Sequence, residues 1–313
     1  MRSTRRTVAE LCEAWYRHVE PDLSASVAPE YRRLLDRRIL PRFGALPLDA
    51  LTAADLDGWY AELRTGSEGG RPLAANSVRR LHAILRRALN QGLRWGWLTE
   101  NPADRATPPR ARRTDLAVPS PKVVARLLAE AQRTNPALAC FLRLAATTGA
   151  RRGELCALRW TDVDLDAAVL TIGHGVVEHP TRGLVVQDTK THAVRRLALD
   201  PGTVAALAAH RDGAGLDAFV FSHAAGGSRP WRPHYVTLAF TRLRDQVALP
   251  RFRLHDLRHF AATQLLAGGQ DVRTVAGRLG HADASVTLGT YAHFLAVADR
   301  HAADLLGRLV DEG

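Results

Sequence analysis

Cysteine is scarce in this sequence, with three among 313 residues. Cys12, Cys140 and Cys156 lie far apart in apolar, helix-like stretches, and none of them forms a CxxC pair. Three scattered cysteines, odd in number, argue against a disulfide framework. We therefore expect three small buried side chains in a protein of the reducing cytoplasm.

Long apolar runs are also missing. No stretch reaches the roughly eighteen apolar residues that can span a bilayer, so the sequence predicts no membrane segment and no membrane partner. The first residues, MRSTRRTVAELCEAWY, are basic, but they contain neither the apolar core nor the cleavage site of a signal peptide. We therefore do not expect export by that route, and we expect a cytoplasmic protein.

Acidic residues are too few to balance the basic ones. Lys+Arg amount to 43 and Asp+Glu to 32, which gives a formal net charge of +11. Lysine occurs only at Lys122 and Lys190, and such arginine dominance can reflect genomic base composition. A strongly basic folded chain favours a polyanionic partner, with nucleic acid the first candidate. Charge alone leaves open a basic protein with no such partner.

Hydrophobic periodicity divides the chain into two domains joined by a linker. Residues 1–104 predict a helical bundle, which opens with the capping box TVAE from Thr7 to Glu10. Residues 105–119 are Pro-rich, basic and aperiodic, which is typical of a linker. Residues 120–313 mix helices with short β-rich runs. The predicted fold class is mainly α with a small β-sheet (α+β).

Local signals place some of these elements more closely. Pro41 and Gly44 are expected to end the second helix of the bundle. Ser120 and Pro121 predict the N-cap and first residue of the helix that opens the second domain. The runs GLVVQDT and AVRRLAL flank the letters KTH and predict a β-hairpin with Lys190 at its turn.

The helix predicted to start near Ser77 has two unlike faces. At about 100° per residue its apolar residues share one arc, and these are Val78, Leu81, Leu85, Ala88 and Leu89. The opposite arc carries Arg79, Arg80, Arg86, Arg87 and Arg94, with no acid to pair with them. Like charges four residues apart destabilise a helix unless something neutralises them, as phosphates do. We expect these arginines to bind DNA, and a solvated polar face is the alternative.

Tyr291 stands among small and polar residues near the end of the chain, in the stretch LGHADASVTLGTYAHF. One interpretation is a core aromatic whose hydroxyl is hydrogen bonded. The other is a nucleophile that attacks a DNA phosphodiester. A tyrosine hydroxyl has a free pKa of about 10, so it needs a particular environment to react.

Other residues of the sequence match the needs of such an attack. Charge develops on the non-bridging phosphate oxygens, and the guanidinium forks of Arg151 and Arg258 fit those oxygens. His255 and His281 can donate to the same oxygens or help remove the phenolic proton, and Lys190 can protonate the leaving 5′ oxygen. The phosphotyrosine product retains the energy of the phosphodiester. Neither ATP nor a metal is then required, in agreement with the absence of a P-loop motif.

The motifs TGARRGEL, TKT…R, HDLRH, LGH and TYAHF occur in this order, and together they resemble those of the tyrosine recombinase (phage integrase) family. The resemblance covers essentially the whole chain, and it is stronger to mobile-element integrases than to chromosome-dimer resolvases. It implies a helical core-binding domain ahead of a mixed α/β catalytic domain. It also implies that the catalytic residues are Arg151, Lys190, His255, Arg258, His281 and Tyr291, with Glu154 supporting the site.

From the resemblance we expect a site-specific DNA recombinase without a cofactor or metal. It would cleave and rejoin double-stranded DNA at core sites through a 3′-phosphotyrosine, two strands at a time via a Holliday junction. The family implies a tetramer on DNA, and a directionality factor is a further candidate partner. The arm-binding domain of larger integrases has no counterpart in the sequence, which leaves the binding of arm sites open. Apolar residues at helical spacing within 295–309 predict a terminal helix, which in the family docks on a neighbouring protomer; docking on its own domain is the alternative.

Two other functional classes and a metal site are alternatives at this point. The chain could be a catalytically inactive DNA-binding remnant, or a type IB topoisomerase-like nicking-closing enzyme. His255 and His259 are spaced as HxxxH, which on a helix can hold a metal, although Arg258 beside them would repel a cation.

Overall fold

The computed structural model describes residues 6–66, 70–111, 118–188, 194–250, 252–280 and 310–311. The chain divides into two compact units, Met1–Asp115 and Leu116–Gly313. Helices dominate both units, and the strands form only small sheets in the second. The predicted fold class, mainly α with a small β-sheet, is confirmed.

The first unit is built from helices alone among its described residues. They are α1 (Val8–Val19), α2 (Val27–Leu34), α3 (Leu40–Phe43), α4 (Ala53–Thr65) and α5 (Ala75–Arg94). The predicted capping box is present, because the Thr7 backbone N–H donates to Glu10 Oε2 at 2.8 Å and the Glu10 N–H donates to Thr7 Oγ1 at 3.2 Å. Two backbone donors that a helix start leaves without partners are thereby satisfied.

The helical run that begins with α2 ends at Gly44, as predicted, but Pro41 does not end it. After α2 the chain continues through a π-helical turn, Leu35–Ile39, directly into α3, and the helical run reaches its C-cap at Gly44. Pro41 sits in the first turn of α3, where a missing N–H costs little. The breaker signal therefore marked a new helical start within a continuous run and not an end.

The core of the first unit lies beneath α5. The apolar arc predicted for this helix is buried, with Val78, Leu81, Leu85 and Leu89 each no more than 1% exposed. Helices α1 and α5 approach closely at Gly92. A Cβ added to this glycine would lie only 3.0 Å from the two methyl carbons of Leu11. Burial of this arc leaves the arginine face of α5 turned away from the core.

The second unit combines helices with short strands. Its helices are α6 (Pro121–Thr134), α7 (Pro136–Thr148), α8 (Arg152–Ala157), α9 (Pro201–Arg211), α10 (Pro233–Gln246), α11 (Asp256–Ala267) and α12 (Val272–Leu279). Ser120 caps α6 as predicted, since its Oγ accepts from the Val123 N–H, and Pro121 opens the helix. Helix α7 is buried along most of its length and forms the centre of this core.

The strands pair in an order that the sequence did not predict. They are β1 (Val163–Asp164), β2 (Val169–Ile172), β3 (His174–His179), β4 (Gly183–Asp188) and β5 (Arg195–Ala198). One antiparallel sheet has the order β1-β2-β5, and β3 pairs with β4 in a separate hairpin. The expected hairpin between the strands on either side of KTH is therefore wrong.

Burial explains this pairing. Leu170 on β2 faces Leu197 on β5, and both side chains are buried in the core. Val186 on β4 is 44% exposed, so β4 offers much less apolar surface to such a partner. A strand pairs where its apolar face can be buried. For this reason β5 pairs with β2 and not with β4, which precedes it in the sequence.

The three cysteines are buried, as expected, and burial raises the pKa of each thiol to about 12. Within the described ranges, every helix is too short or too polar to cross a membrane.

Candidate active site

A cleft of about 450 Å³ opens in the second unit where the N-terminal ends of α8 and α11 come together. Its lining includes His255 and Arg258 together with Arg151, which lies more than a hundred residues before them in the sequence. The other lining residues are Phe141, Ala145, Ala150, Arg152, Gly153, Thr237, Arg253 and Leu254. The fold thus brings together those predicted catalytic residues that the structure describes.

Arg151 stands at the N-cap of α8, directly after the turn that ends α7. Its backbone N–H donates to Glu154 Oε2 and its Nη1 donates to Glu154 Oε1, both at 2.8 Å. Its Nη2 donates to the Gly280 carbonyl at 3.1 Å. The side chain remains 33% exposed, so a held guanidinium can still face a ligand in the cleft.

Arg258 is buried on the first turns of α11, with 4% of its surface exposed. Its Nη1 donates to the Gly149 carbonyl at 2.8 Å and to the Leu279 carbonyl at 2.6 Å. Gly149 ends α7 in the left-handed region at φ +66°, and a Cβ there would collide with the Leu279 side chain. Two helix C-termini, those of α7 and α12, therefore hold this guanidinium.

Glu154 is buried, at 4% exposure, behind Arg151. Its second partner is Arg195 of β5, whose Nη1 and Nη2 donate to the two carboxylate oxygens at 3.2 and 2.5 Å. Burial alone would raise the pKa of Glu154, but the hydrogen bond and charge of Arg195, with smaller contributions from Arg151, hold it below its ordinary value. Glu154 is therefore a carboxylate that two arginines share.

His255 occupies the N-cap of α11 and is exposed as a residue. Its ring lies edge-on to the His259 ring, with centroids 5.1 Å apart. Burial of the imidazole, followed by the charges of His259 and Arg258, lowers the pKa of His255 to about 4. The imidazole is therefore neutral near pH 7, with one nitrogen that donates and one that accepts.

Arg195 is the residue of this region that sequence reasoning did not single out. Arg195 belongs to the motif TKT…R, so the sequence did contain a signal for an important arginine in this strand. The neighbouring residues do not show whether Arg195 or Arg196 points into the protein. In the structure its side chain is 10% exposed, whereas Arg196, the next residue of β5, is exposed. The alternation of a strand separates the two.

Lys190, His281 and Tyr291 lie outside the described residues, as does the predicted terminal helix within 295–309. Their roles stay predictions. What the structure adds is the position of the chain just before His281, because Gly280 accepts the hydrogen bond from Arg151.

The arginine face of α5 forms a second candidate surface, within the first unit. A groove of about 590 Å³ runs along it. Its lining residues are Asn76, Arg79, Arg80, His82, Ala83, Arg86, Arg87, Asn90 and Pro108. Predicted Arg94 lies on the same helix beyond the groove, where its Nε donates to Gln91 Oε1 at 3.0 Å.

The expectation that these arginines have no acidic partner is wrong for two of them. Arg86 Nε lies 2.5 Å from Asp104 Oδ1, and Arg80 Nη1 lies 3.5 Å from Glu30 Oε1. Both acids come from other elements, so inspection of α5 alone could not reveal them. The side chains of Arg80, Arg86 and Asp104 are roughly half exposed, and that of Glu30 is 25% exposed. Ion pairs at the surface are weak, so these arginines can exchange their acidic partners for phosphate.

His82 is a further residue of the groove that sequence reasoning missed. Its Nδ1 is hydrogen bonded to the Tyr60 hydroxyl at 2.8 Å. Burial, followed by the charges of Arg86 and Arg79, lowers its pKa below the ordinary value. A neutral imidazole therefore lies among the arginines.

Comparison with known proteins places these features in a family. Residues 119–296 match the model of the phage integrase family, and residues 7–64 match the model of the phage integrase N-terminal SAM-like domain. A Mycobacterium tuberculosis protein named as a prophage phiRv2 integrase is 29% identical over 306 residues, covering 96% of this chain and 78% of that protein. The tyrosine recombinase XerD of Caulobacter vibrioides is 31% identical over 266 residues, covering 81% of this chain and 80% of that protein.

Solved structures share the fold. The Tn1549 transposon integrase in complex with transposon right end DNA superposes with a TM-score of 0.80 at 22% identity, covering 96% of this chain and 99% of that one. A lambda integrase tetramer bound to a Holliday junction gives a TM-score of 0.68 at 17% identity, covering 91% of this chain and 78% of that one.

Proposed function

Because this chain belongs to the phage integrase family and is a tyrosine recombinase, we propose that it is a site-specific recombinase that cleaves and rejoins double-stranded DNA through a 3′-phosphotyrosine at Tyr291. One observation carries the proposal. Arg151 and Arg258, which are more than a hundred residues apart in sequence, line a single cleft together with His255.

The two arginines are suited to a phosphodiester that passes through a five-coordinate state. Each guanidinium is held by carbonyl oxygens, so its orientation is set before DNA arrives. Donors that need no reorganisation stabilise charge that develops on the non-bridging oxygens. Arg151 approaches the phosphate from its exposed edge, and Arg258 supplies a fixed positive charge from beneath.

His255 acts as a neutral group in this scheme. With a pKa of about 4 it carries no charge near pH 7, so it can donate to a non-bridging oxygen or accept the phenolic proton. The DNA phosphate, once bound, would raise this pKa by its negative charge. His281, which follows Gly280 directly, is proposed as the second imidazole.

The covalent step exchanges one phosphate ester for another. The Tyr291 oxygen forms a bond to phosphorus, the bond from phosphorus to the 5′ oxygen breaks, and Lys190 gives the leaving oxygen its proton. The phenolic proton passes to a histidine or to water. No net energy is consumed, so the step needs no nucleotide hydrolysis, and the proposal assigns no part of it to a metal or cofactor.

Strand exchange then follows by the reverse step. The free 5′ hydroxyl attacks the phosphotyrosine of a partner strand, and two such exchanges make and resolve a Holliday junction. We propose that four protomers assemble on DNA for this purpose, by likeness to the lambda integrase tetramer. The terminal helix within 295–309 is proposed as the link between neighbouring protomers.

The α5 groove is proposed to bind the phosphate backbone. The arginines of the groove, Arg79, Arg80, Arg86 and Arg87, lie on the exposed side of the helix, and so does Arg94 beyond the groove. In this proposal residues 1–104 form the core-binding domain, 105–119 the linker and 120–313 the catalytic domain. The two domains would contact one DNA duplex.

A nicked suicide substrate tests the proposal directly, since it traps the covalent intermediate by losing the attacking hydroxyl. The wild-type chain is expected to give a protein–DNA band on a denaturing gel. Tyr291→Phe should give none while it binds DNA normally, and Tyr235→Phe is the matched control that should still react. A band from Tyr291→Phe would place the nucleophile elsewhere.

The role of Lys190 has its own test. Lys190→Ala should slow cleavage of ordinary DNA, and sulfur at the 5′ bridging position should restore the rate, because a thiolate leaves without a proton. An equal defect on both substrates would remove Lys190 as the acid.

Relaxation of supercoiled DNA with no joining of two sites would favour the topoisomerase alternative.

A further inference from the structure

Three consecutive carbonyl groups at the C-terminal end of α12 accept hydrogen bonds from three arginines. The Arg278 carbonyl accepts from Arg195 Nε at 3.2 Å, the Leu279 carbonyl from Arg258 Nη1 at 2.6 Å, and the Gly280 carbonyl from Arg151 Nη2 at 3.1 Å. The donors come from β5, α11 and the N-cap of α8. We call these carbonyls the α12 acceptor row.

Arg195 is the one arginine of this set that does not line the cleft. It forms a fork with both oxygens of Glu154 and also reaches the acceptor row through Nε. Its side chain is 10% exposed and that of Glu154 is 5% exposed. An arginine buried in this way, with its donors directed at two elements, fixes the distance between them.

Gly280 gives an independent sign that the Arg195 guanidinium has a defined place. Gly280 has φ +71°, and a Cβ built on it would lie 2.8 Å from Arg195 Nη1 and 2.9 Å from Cζ. A side chain at this position would push the guanidinium away from the acceptor row. The C-cap of α12 thus passes close to the Arg195 guanidinium at a glycine, whose positive φ other residues rarely adopt.

We propose that Arg195 is a positioning residue of the recombination reaction, which sets the guanidinium of Arg151 by holding Glu154 and the end of α12 in one arrangement. It acts through these neighbours and does not contact DNA. This inference rests on the proposed function, because the reaction it serves is phosphodiester cleavage.

Loss of Arg195 has two consequences at Arg151. Glu154 keeps one cationic partner in place of two, so the carboxylate competes more strongly for the Arg151 fork that should face phosphate. The end of α12 also loses one of its three donors, so Gly280, the acceptor for Arg151 Nη2, is held less firmly. Both changes alter the orientation of Arg151 and leave the α5 groove, the surface proposed to bind the phosphate backbone, unchanged.

The test uses the full chain and compares Arg195→Gln with Arg196→Gln, its exposed neighbour on the same strand. Dissociation constants for a half-site duplex and single-turnover rates of covalent-complex formation at saturating DNA are measured separately. For Arg195→Gln we expect an unchanged dissociation constant and a cleavage rate lower by about 100-fold, the scale for a misplaced oxyanion donor. Arg196→Gln should cleave at nearly the wild-type rate.

A pH profile separates positioning from a general loss of stability. Among the described residues, the charged side chains that face Glu154 are Arg151 and Arg195. In Arg195→Gln the buried carboxylate should take up a proton at higher pH than in the wild type, so cleavage should fall more steeply as the pH is lowered. Adding Glu154→Gln to this variant removes the titrating group and should abolish the steeper fall.

Arg195→Ala with added guanidinium at millimolar concentration provides a rescue that a merely unfolded variant would not show. Restored cleavage supports the proposal. A folded Arg195→Gln that cleaves like the wild type, or one whose whole defect is weaker DNA binding, overturns it. Failure of the wild-type chain itself to form a covalent complex overturns instead the proposed function and, with it, the reaction that Arg195 would serve.

Discussion

The arginines of the α5 groove and those of the cleft differ in what holds them. Along α5, Arg80 and Arg86 are about half exposed and meet acids from other elements at the surface. In the cleft, Arg258 is 4% exposed and is held by backbone carbonyls at two helix ends. One residue type therefore appears once as an exchangeable surface charge and once as part of a rigid frame.

Under the function proposed above, the two settings give arginine different tasks. An exposed guanidinium can exchange a weak ion pair for a contact with phosphate. Another positive charge at the same place would attract the phosphate nearly as well. A buried guanidinium in contact with carbonyls has one orientation, so its shape matters as much as its charge. We expect substitutions on α5 to change affinity and substitutions in the cleft to change rate.

The largest effect is expected from Arg258→Lys compared with Arg79→Lys. Lysine keeps the charge but has only one nitrogen, which cannot both bond the two carbonyls that Nη1 of Arg258 bonds and offer a planar guanidinium to phosphate. Arg258→Lys should therefore lower the single-turnover cleavage rate by about 100- to 1000-fold. Arg79→Lys should leave that rate nearly unchanged, because an exposed point charge still attracts phosphate. Equal losses from the two variants would break the distinction between rigid and exchangeable arginines.

The next prediction concerns the stability of the protein and compares Gly149→Ala, at the residue whose carbonyl accepts from Arg258, with Gly96→Ala. Both glycines have positive φ, +66° and +69°, but a Cβ at Gly149 would strike Leu279, whereas nothing lies within 4 Å of one at Gly96. Backbone strain alone should cost about 1 to 2 kcal/mol in each, and Gly149→Ala should lose more because α12 must also move. Thermal unfolding followed by circular dichroism measures both, and similar midpoints would mean that α12 adapts freely.

A smaller effect is expected from Asp104→Asn, with Asp22→Asn as the control of equal charge change. Removing the Asp104 carboxylate releases Arg86, so DNA binding should tighten and the slope of log K against log salt should steepen by at most about 0.9, the value for one phosphate contact. Fluorescence anisotropy from 50 to 200 mM salt, roughly the range over which such slopes are measured, gives both quantities. An identical gain from Asp22→Asn would mean that net charge alone matters.

The smallest effect is the pH dependence that His255 brings. Its pKa in the folded chain is about 4, below the ordinary 6.5. As the pH falls from 6.5 toward 4, the unfolded chain therefore binds the proton first, and stability present above pH 6.5 is progressively lost. Because the residue is exposed, solvent screens the effect and the loss should be slight.

Urea midpoints at neutral and mildly acidic pH check this last prediction. His255→Gln should lose less stability on acidification than the wild type, while His234→Gln, which removes a surface histidine, should behave like the wild type. DNA should raise the pKa of His255, an effect that NMR titration of its ring protons can follow. A His255 resonance that titrates near its ordinary value without DNA would contradict the prediction.

Much of the local structure follows from residues that are close in sequence. The capping box at Thr7, the cap at Ser120 and the buried arc of α5 depend on residues three or four positions apart, and all three were predicted. Pro41 shows the limit of such rules. Proline forbids one hydrogen bond but permits a helical start, and the preceding π-turn makes the run continuous.

The site shows the same limit over a longer range. The motifs named Arg151, His255 and Arg258, and the cleft contains them all. They did not single out Arg195, since a strand turns alternate residues inward and the letters do not say which. They also could not show that Asp104 and Glu30 reach the α5 arginines, because those contacts depend on how whole elements pack.

Residues close in sequence were therefore enough to predict the fold class, the caps at Thr7 and Ser120 and the buried arc of α5, because each depends on short-range periodicity or on residue type. Packing between distant elements instead sets the pairing of β5 with β2, the sharing of Glu154 between two arginines, and the hydrogen bonds that the end of α12 accepts from three. Buried polar groups must find partners, and which partner is in reach depends on how elements that are distant along the chain pack against one another.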